Sequence, residues 1–270
     1  MKDKQFVNVL IKETFGTFIL ILLGVGAVIH TGLAPRLTPG AYTWTMIAFG
    51  WGFAYMVAFL VCGGVTSVHI NPAITLAMAV KRGFPWKKVL PTIGAQLLGA
   101  FLGALGLWFM YKDGLAPAGF PNVWATGPGS TYDTAFFGEM TGNYVRDYRL
   151  VVACVAELFG TLVFSWLILA VTEVEDHPLH KLISAALVGL GVAAIGLSLG
   201  GPSGFAINPA RDLAPRLVGT IMWTRGLFDG LYWLIPPILI PLFAGPLGFV
   251  LYDVLVKREH EDSQEDRQDA

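Results

Sequence analysis

Charge is what this sequence has least of: Asp, Glu, Lys and Arg make up 14% of its 270 residues, against about 25% in ordinary soluble domains. That shortfall excludes a chain wetted on all sides. With 54% hydrophobic residues and a mean hydropathy of +0.61, most of the sequence belongs in lipid. The formal net charge of −1 leaves no basic excess to meet a phosphate backbone, so no nucleic-acid partner is expected. Cysteine is confined to Cys62 and Cys154. Both sit inside apolar runs, where a thiol serves as a small apolar side chain and not as half of a disulfide or redox pair. No second His or Cys stands at metal-ligand spacing from His69, and no glycine loop suits a phosphate, so neither metal nor cofactor is expected. The alternation of apolar and polar residues that marks a membrane strand is also missing.

What is present are long apolar runs, near Val7 to His30, Tyr42 to Cys62, Lys88 to Tyr111, Leu150 to Thr172, Lys181 to Gly200 and Leu231 to Val256. Each reaches the roughly 20 residues that a bilayer-spanning helix needs. The first run is too long for a signal-peptide core and lacks a cleavage site, so it reads as a retained span. Pro236, Pro237 and Pro241 predict a bend or a late start in the last span. From Lys257 the sequence turns polar and acidic to Ala270, a composition expected to stay disordered.

Orientation follows from the basic residues of short loops. With both termini cytoplasmic, Lys2, Lys4, Lys12, Lys81, Arg82, Lys87, Lys88, Lys181, Lys257 and Arg258 fall inside. Arg36, Lys112, Arg146, Arg149 and Arg225 fall outside. The twofold bias predicts a multi-pass membrane protein with both ends in the cytoplasm.

Two shorter segments carry the same tripeptide: His69-Ile70-Asn71-Pro72-Ala73 and Ala206-Ile207-Asn208-Pro209-Ala210-Arg211-Asp212. The asparagines are 137 positions apart (208 minus 71), and Glu-Thr-Phe-Gly-Thr from Glu13 is echoed by Glu-Leu-Phe-Gly-Thr from Glu157. The chain is an internal duplication. With three spans in each half, the second copy enters the membrane from the opposite side, an inverted repeat. The expected fold is an all-α membrane protein with six transmembrane helices and two half-helices. One channel domain covers 1–256, with repeat 1 over about 7–111, repeat 2 over about 150–256, an extracellular loop over 112–149 and a tail over 257–270.

Asparagine is a strong helix N-cap and proline suits the first helical position, so each Asn-Pro starts a half-helix. Half-helices entering from opposite faces bring two N-termini together at the midplane, each with about +0.5 of an elementary charge. Cations meet a barrier there. The asparagine amides can present N–H donors to a passing hydroxyl or water and so interrupt a proton wire. Glu13 and Glu157 lie within spans, where an ionisable group invites a functional reading. One such residue per repeat favours a scaffold that accepts backbone N–H groups over catalysis.

Taken together, the paired Asn-Pro-Ala boxes, the repeated Glu and the six-span inverted repeat resemble the aquaporin (major intrinsic protein) family over about Val7 to Val256. Gly204 to Asp212 resembles its glycerol facilitator branch, where Asp follows the arginine. The resemblance implies a selectivity filter at Trp51, 20 residues before Asn71, and at Gly196, Phe205 and Arg211, which lie 12 before, three before and three after Asn208. It further implies a ladder of pore carbonyls on Ser67, Val68, His69, Gly204, Phe205 and Ala206. His69 would hold its loop and Asp212 would pair with a nearby base. The loop over 112–149 would form an outer vestibule, and four protomers would assemble, each with its own pore. The expected solutes are glycerol, water and other small neutral molecules.

Physical chemistry suits that assignment. Glycerol has an edge of hydroxyls and an edge of C–H groups. Trp51 and Phe205 can make an apolar corner, Arg211 can donate from a planar fork and repel cations, and Gly196 leaves room where a water-selective filter would carry a bulky His. A strict water channel and a coupled secondary transporter are the alternatives; the latter needs an ion site or titrating relay, for which only Glu13 and Glu157 are candidates. An intramembrane enzyme lacks a nucleophile or metal cluster, so none is expected.

Overall fold

A computed structural model describes residues 2–33, 43–119, 122–127, 143–173 and 179–257, with the backbone course alone for 2–3 and 143–149. Among these residues, six helices are long and apolar enough to cross a membrane. They are α1 (Lys2–Leu33), α2 (Trp44–Cys62), α4 (Trp86–Leu115), α5 (Asn143–Thr172), α6 (His180–Leu199) and α8 (Ile240–Tyr252), the last continued on both sides by wide turns over Ile235–Leu239 and Asp253–Lys257. Two short helices, α3 (Pro72–Lys81) and α7 (Pro209–Ile221), sit between them. At 1.5 Å per residue they reach about 15 and 20 Å, short of a hydrocarbon core about 30 Å thick.

Local chemistry sets the ends. Asn71 caps α3 by accepting the Ala73 N–H at 2.8 Å, and Asn208 caps α7 by accepting those of Ala210 at 3.0 Å and Arg211 at 3.3 Å. Helix α2 stops where Gly63 and Gly64 take φ of 98° and 103°, letting the Gly64 N–H close on the Phe59 carbonyl at 2.7 Å. Pro236 and Pro237 have no N–H to give, and the last span opens in a wide turn with the Leu239 N–H reaching back five residues to Leu234 O at 3.0 Å. This is the late start that the prolines predict.

Packing repeats across the two halves. Helix α1 lies against α2 and α4, while α5 lies against α6 and α8. Each half-helix packs on the last span of the other repeat, α3 on α8 and α7 on α4, so neither half completes itself. The halves meet where α2 crosses α6. A methyl group on Gly52 would fall 2.5 Å from the Gly189 carbonyl, and one on Gly189 would fall 2.6 Å from that of Gly52. Only hydrogen at both positions permits so close a crossing.

Outward faces carry Phe15, Phe53, Leu90, Phe109, Leu190 and Phe243, the apolar surface that lipid requires. Polar and charged residues instead turn inward: Glu13, Asn71, Glu157, Asn208, Arg211, Asp212 and Arg216 are each at most 3% exposed.

Helices overrun the apolar limits at several ends. The connection expected over 112–149 is entered by helix from both sides, to Leu115 and from Asn143. A helix can continue beyond the hydrocarbon because polar side chains there are met by water and headgroups. Arg36, Arg258 and the tail beyond Lys257 lie outside the described residues, as do the side chains of Lys2, Arg146 and Arg149. Cys62 and Cys154 are free thiols.

Candidate functional site

The backbone entering each half-helix is not helical. Ile70 and Ile207, just before the asparagines, have φ of 47° and 44°, and Phe205 has 40°. A β-branched residue in that region costs of order 1–3 kcal/mol. Two buried carboxylates hold the loops against this strain. Glu13 accepts the N–H of His69 at 2.7 Å on one oxygen and that of Ile70 at 2.8 Å on the other. Glu157 does the same for Ala206 and Ile207, both at 2.7 Å. Charge-assisted bonds to two successive N–H groups fix the turn.

Those turns aim the Ile70 and Ile207 carbonyls at the opposite loop. Asn71 Nδ2 donates to Ile207 O at 2.9 Å and Asn208 Nδ2 donates to Ile70 O at 2.8 Å. The exchange stitches the repeats together and brings the N-termini of α3 and α7 face to face. It also modifies the sequence expectation, because each asparagine spends an N–H on the other loop instead of keeping both for a solute.

On the α3 side of the junction, the inner one in the expected orientation, amide, hydroxyl and imidazole groups gather around the Glu13 carboxylate. Gln96 Nε2 donates to Glu13 Oε2 and to Thr75 Oγ1, both at 2.9 Å, and Thr75 passes its own proton to Asn71 O at 3.1 Å. His69 Nδ1 lies 3.0 Å from Thr75 Oγ1. With the Thr75 proton already used, the neutral ring carries its hydrogen on Nδ1 and leaves Nε2 as an acceptor. Val68 and His69 line a cavity of about 240 Å³ that opens toward Arg82 and Glu173. At its mouth Arg82 bonds Asp253 at 2.7 Å and Glu173 at 2.8 Å.

The outer side is built on charge. The Arg211 guanidinium lies over the Trp51 ring, 4.2 Å from its centre. The Phe205 ring packs onto Gly196, where a methyl group would come within 2.9 Å of its tip. Trp44 fixes the corner, donating from its indole to Gly196 O at 2.9 Å and standing edge-on to Phe205 at 5.6 Å. The structure thus pairs Arg211 with Trp51 and Phe205 with Gly196. The missing side chain at Gly196 makes room for the Phe205 ring and for the Ala48 methyl, which a Cβ would meet at 2.9 and 3.0 Å.

Behind Arg211, Asp212 Oδ1 accepts from Arg216 at 2.6 and 3.0 Å while Oδ2 accepts the N–H and hydroxyl of Thr126, both at 2.8 Å. Arg216 continues to the carbonyls of Leu227 and of Thr126, the latter at 2.7 Å. This pins the outer segment 122–127 to α7. Among the described residues, the carbonyls of Ser67, Val68, His69, Gly204, Phe205 and Ala206 take no hydrogen bond from the protein.

A family profile described as "Major intrinsic protein" matches residues 1–248. The chain belongs to the major intrinsic protein family. It is 37% identical to glycerol uptake facilitator protein 3 of Lactiplantibacillus plantarum over 266 residues, covering 94% of this chain and 99% of the relative. It is 36% identical to a probable glycerol uptake facilitator protein of Thermotoga maritima, covering 92% and 99%. A solved structure, the aquaglyceroporin from Plasmodium falciparum, matches at a TM-score of 0.77 and 28% identity, over 93% of this chain and 97% of that one. As a member of the major intrinsic protein family with six spanning helices, this is a multi-pass membrane protein.

Several residues of the site escaped sequence reasoning. Gln96, Tyr55 and Trp44 stand in no repeated motif and act through partners 83, 153 and 152 positions away, and Thr75 joins them through Gln96. Arg216 was visible only as a charge. Its position four residues after Asp212 on a helix was the signal that could have paired them.

Proposed function

We propose that the protein is a passive channel for glycerol and other small uncharged solutes, with water permeation, that excludes ions and protons. The observation that carries this reading is the outer corner, where a planar arginine fork lies 4.2 Å above Trp51 beside a phenylalanine seated on Gly196. Such a corner satisfies the two edges of a polyol together: the aromatic faces take its C–H groups, and the guanidinium donates to successive hydroxyls. The carbonyls without protein donors would accept from the same hydroxyls as they pass. Arg211 and the two apposed half-helix N-termini raise the cost of a cation at the centre. Names that the relatives carry, glycerol uptake facilitator and aquaglyceroporin, favour the same solute.

In this reading Trp51, Gly196, Phe205 and Arg211 form the selectivity filter, and Asn71 and Asn208 the central orientation site. Glu13, Glu157 and Asp212 are scaffold. The protein would lie in the cell inner (plasma) membrane with both termini cytoplasmic, as a homotetramer with one pore per protomer. Coupled transport is disfavoured, since both glutamates are engaged by backbone N–H groups.

Stopped-flow light scattering of proteoliposomes tests the proposal, with a glycerol gradient and, separately, a non-permeant osmolyte. The wild type should speed re-swelling in glycerol at a rate independent of pH and sodium. Gly196→His, which puts a bulky polar ring against Phe205 and narrows the corner, should abolish glycerol flux and spare water. Water flux alone from the wild type would make this a water channel, and no flux of either would sink the passive-pore reading.

A further inference from the structure

Helix α2 carries aromatic residues at Trp51, Tyr55 and Phe59, four apart and therefore on one face. All three are turned into the bundle and at most 2% exposed. Trp51 lies beneath Arg211, and Phe59 lines the inner cavity. Tyr55 stands between them, where its hydroxyl accepts the Asn208 Nδ2–H at 3.0 Å. Its ring is held by Phe164 at 5.4 Å and Phe59 at 6.0 Å.

That contact changes what the centre offers. The Asn208 amide has two hydrogens; Ile70 O takes one and Tyr55 Oη the other. Nothing remains on that amide for a passing hydroxyl. A phenol that accepts one bond still has its own proton to donate and a lone pair to offer.

We infer that Tyr55 is a further specificity-determining residue: its ring sets the width of the passage at the half-helix junction, and its hydroxyl replaces the Asn208 amide as the group that meets the solute. The inference rests on the channel reading above. It places the size limit at the centre and leaves the outer corner to sort solutes by polarity. Unbranched three-carbon polyols should pass, and four- and five-carbon ones should be retarded at Tyr55.

Wild type, Tyr55→Val and Tyr55→Phe are compared in proteoliposomes with glycerol, erythritol and ribitol under separate gradients. Tyr55→Val should raise erythritol and ribitol permeability relative to glycerol by about ten-fold. Tyr55→Phe keeps the ring, so the size ranking should stay, while glycerol permeability relative to water should change by about three-fold or more, the scale of one hydrogen bond to the solute. Glycerol flux in all three proteins with unchanged ranking and unchanged glycerol-to-water ratio overturns the inference alone. Should Tyr55→Val fail to reconstitute, Tyr55→Phe decides, an unaltered glycerol-to-water ratio counting against it. Absence of glycerol flux from every protein overturns the channel reading and takes this inference with it.

Discussion

The two halves of the molecule solve one backbone problem identically and then diverge. In each, a buried carboxylate accepts two successive N–H groups, an isoleucine takes a left-handed φ, and an asparagine caps a half-helix while donating to the opposite loop. The 137-residue offset then maps Ile74 onto Arg211 (211 minus 74) and Thr75 onto Asp212 (212 minus 75). Hence uncharged side chains gather around Thr75 in the inner brace, whereas an ion pair forms around Asp212 in the outer one. What repeats is what the backbone needs, and what differs is what makes one mouth unlike the other. Charge sits where solutes would be sorted, and the inner mouth keeps an aliphatic wall at Ile74.

The largest effect should come from removing the shared element. Glu13→Ala and Glu157→Ala each strand buried N–H donors at about 1–3 kcal/mol apiece, beside an isoleucine whose strain is then unopposed. Both should fail to accumulate as folded protein. Glu13→Ala should be the worse, because it also removes one of the two hydrogen bonds that the Gln96 amide makes, the other running to Thr75. Size-exclusion recovery in detergent measures this; near-normal recovery of either variant would show that the carboxylate is not the brace.

Next in size is a change confined to the outer half. Asp212→Ala leaves Arg216 buried at 3% exposure without its carboxylate and releases Thr126, and breaking a buried pair from one side costs about 3–5 kcal/mol. The thermal midpoint should fall sharply, and the double substitution Asp212→Ala with Arg216→Met should recover part of the loss. A double variant less stable than the single would show that Arg216 is held chiefly by the Leu227 and Thr126 carbonyls.

How much of this was legible in the sequence depends on the range of the interaction. The spans, half-helices and paired glutamates announce themselves, because hydropathy, capping and the repeat are local or periodic signals. The residues of the outer corner were reached by resemblance, and their meeting is a fact of the α2–α6–α7 arrangement. Gln96, Thr126 and Tyr55 had no such signal: their partners lie 83, 86 and 153 positions away. Helices run past the apolar limits, to Leu115 and from Asn143, because hydropathy reports the hydrocarbon boundary, while a helix ends where its backbone finds another partner.

The smallest predicted effect is the most discriminating for the comparison. Gln96→Leu removes the side-chain hydrogen bond that Glu13 accepts at 2.9 Å, leaving the inner carboxylate with its two backbone N–H groups, the pair of bonds that the Glu157 carboxylate also takes. Two hydrogen bonds are lost, to Glu13 and to Thr75. The Gln96 side-chain oxygen, however, is buried with no partner among the described residues, and its removal relieves a penalty of about the same size as one of those bonds. The net cost should be about 1 kcal/mol, a thermal midpoint lower by a few degrees, with glycerol flux unchanged. If the midpoint falls as far as in Glu13→Ala, the inner loop depends on its side-chain web and not on the backbone bonds common to both halves, and the likeness of the two braces would be one of geometry only.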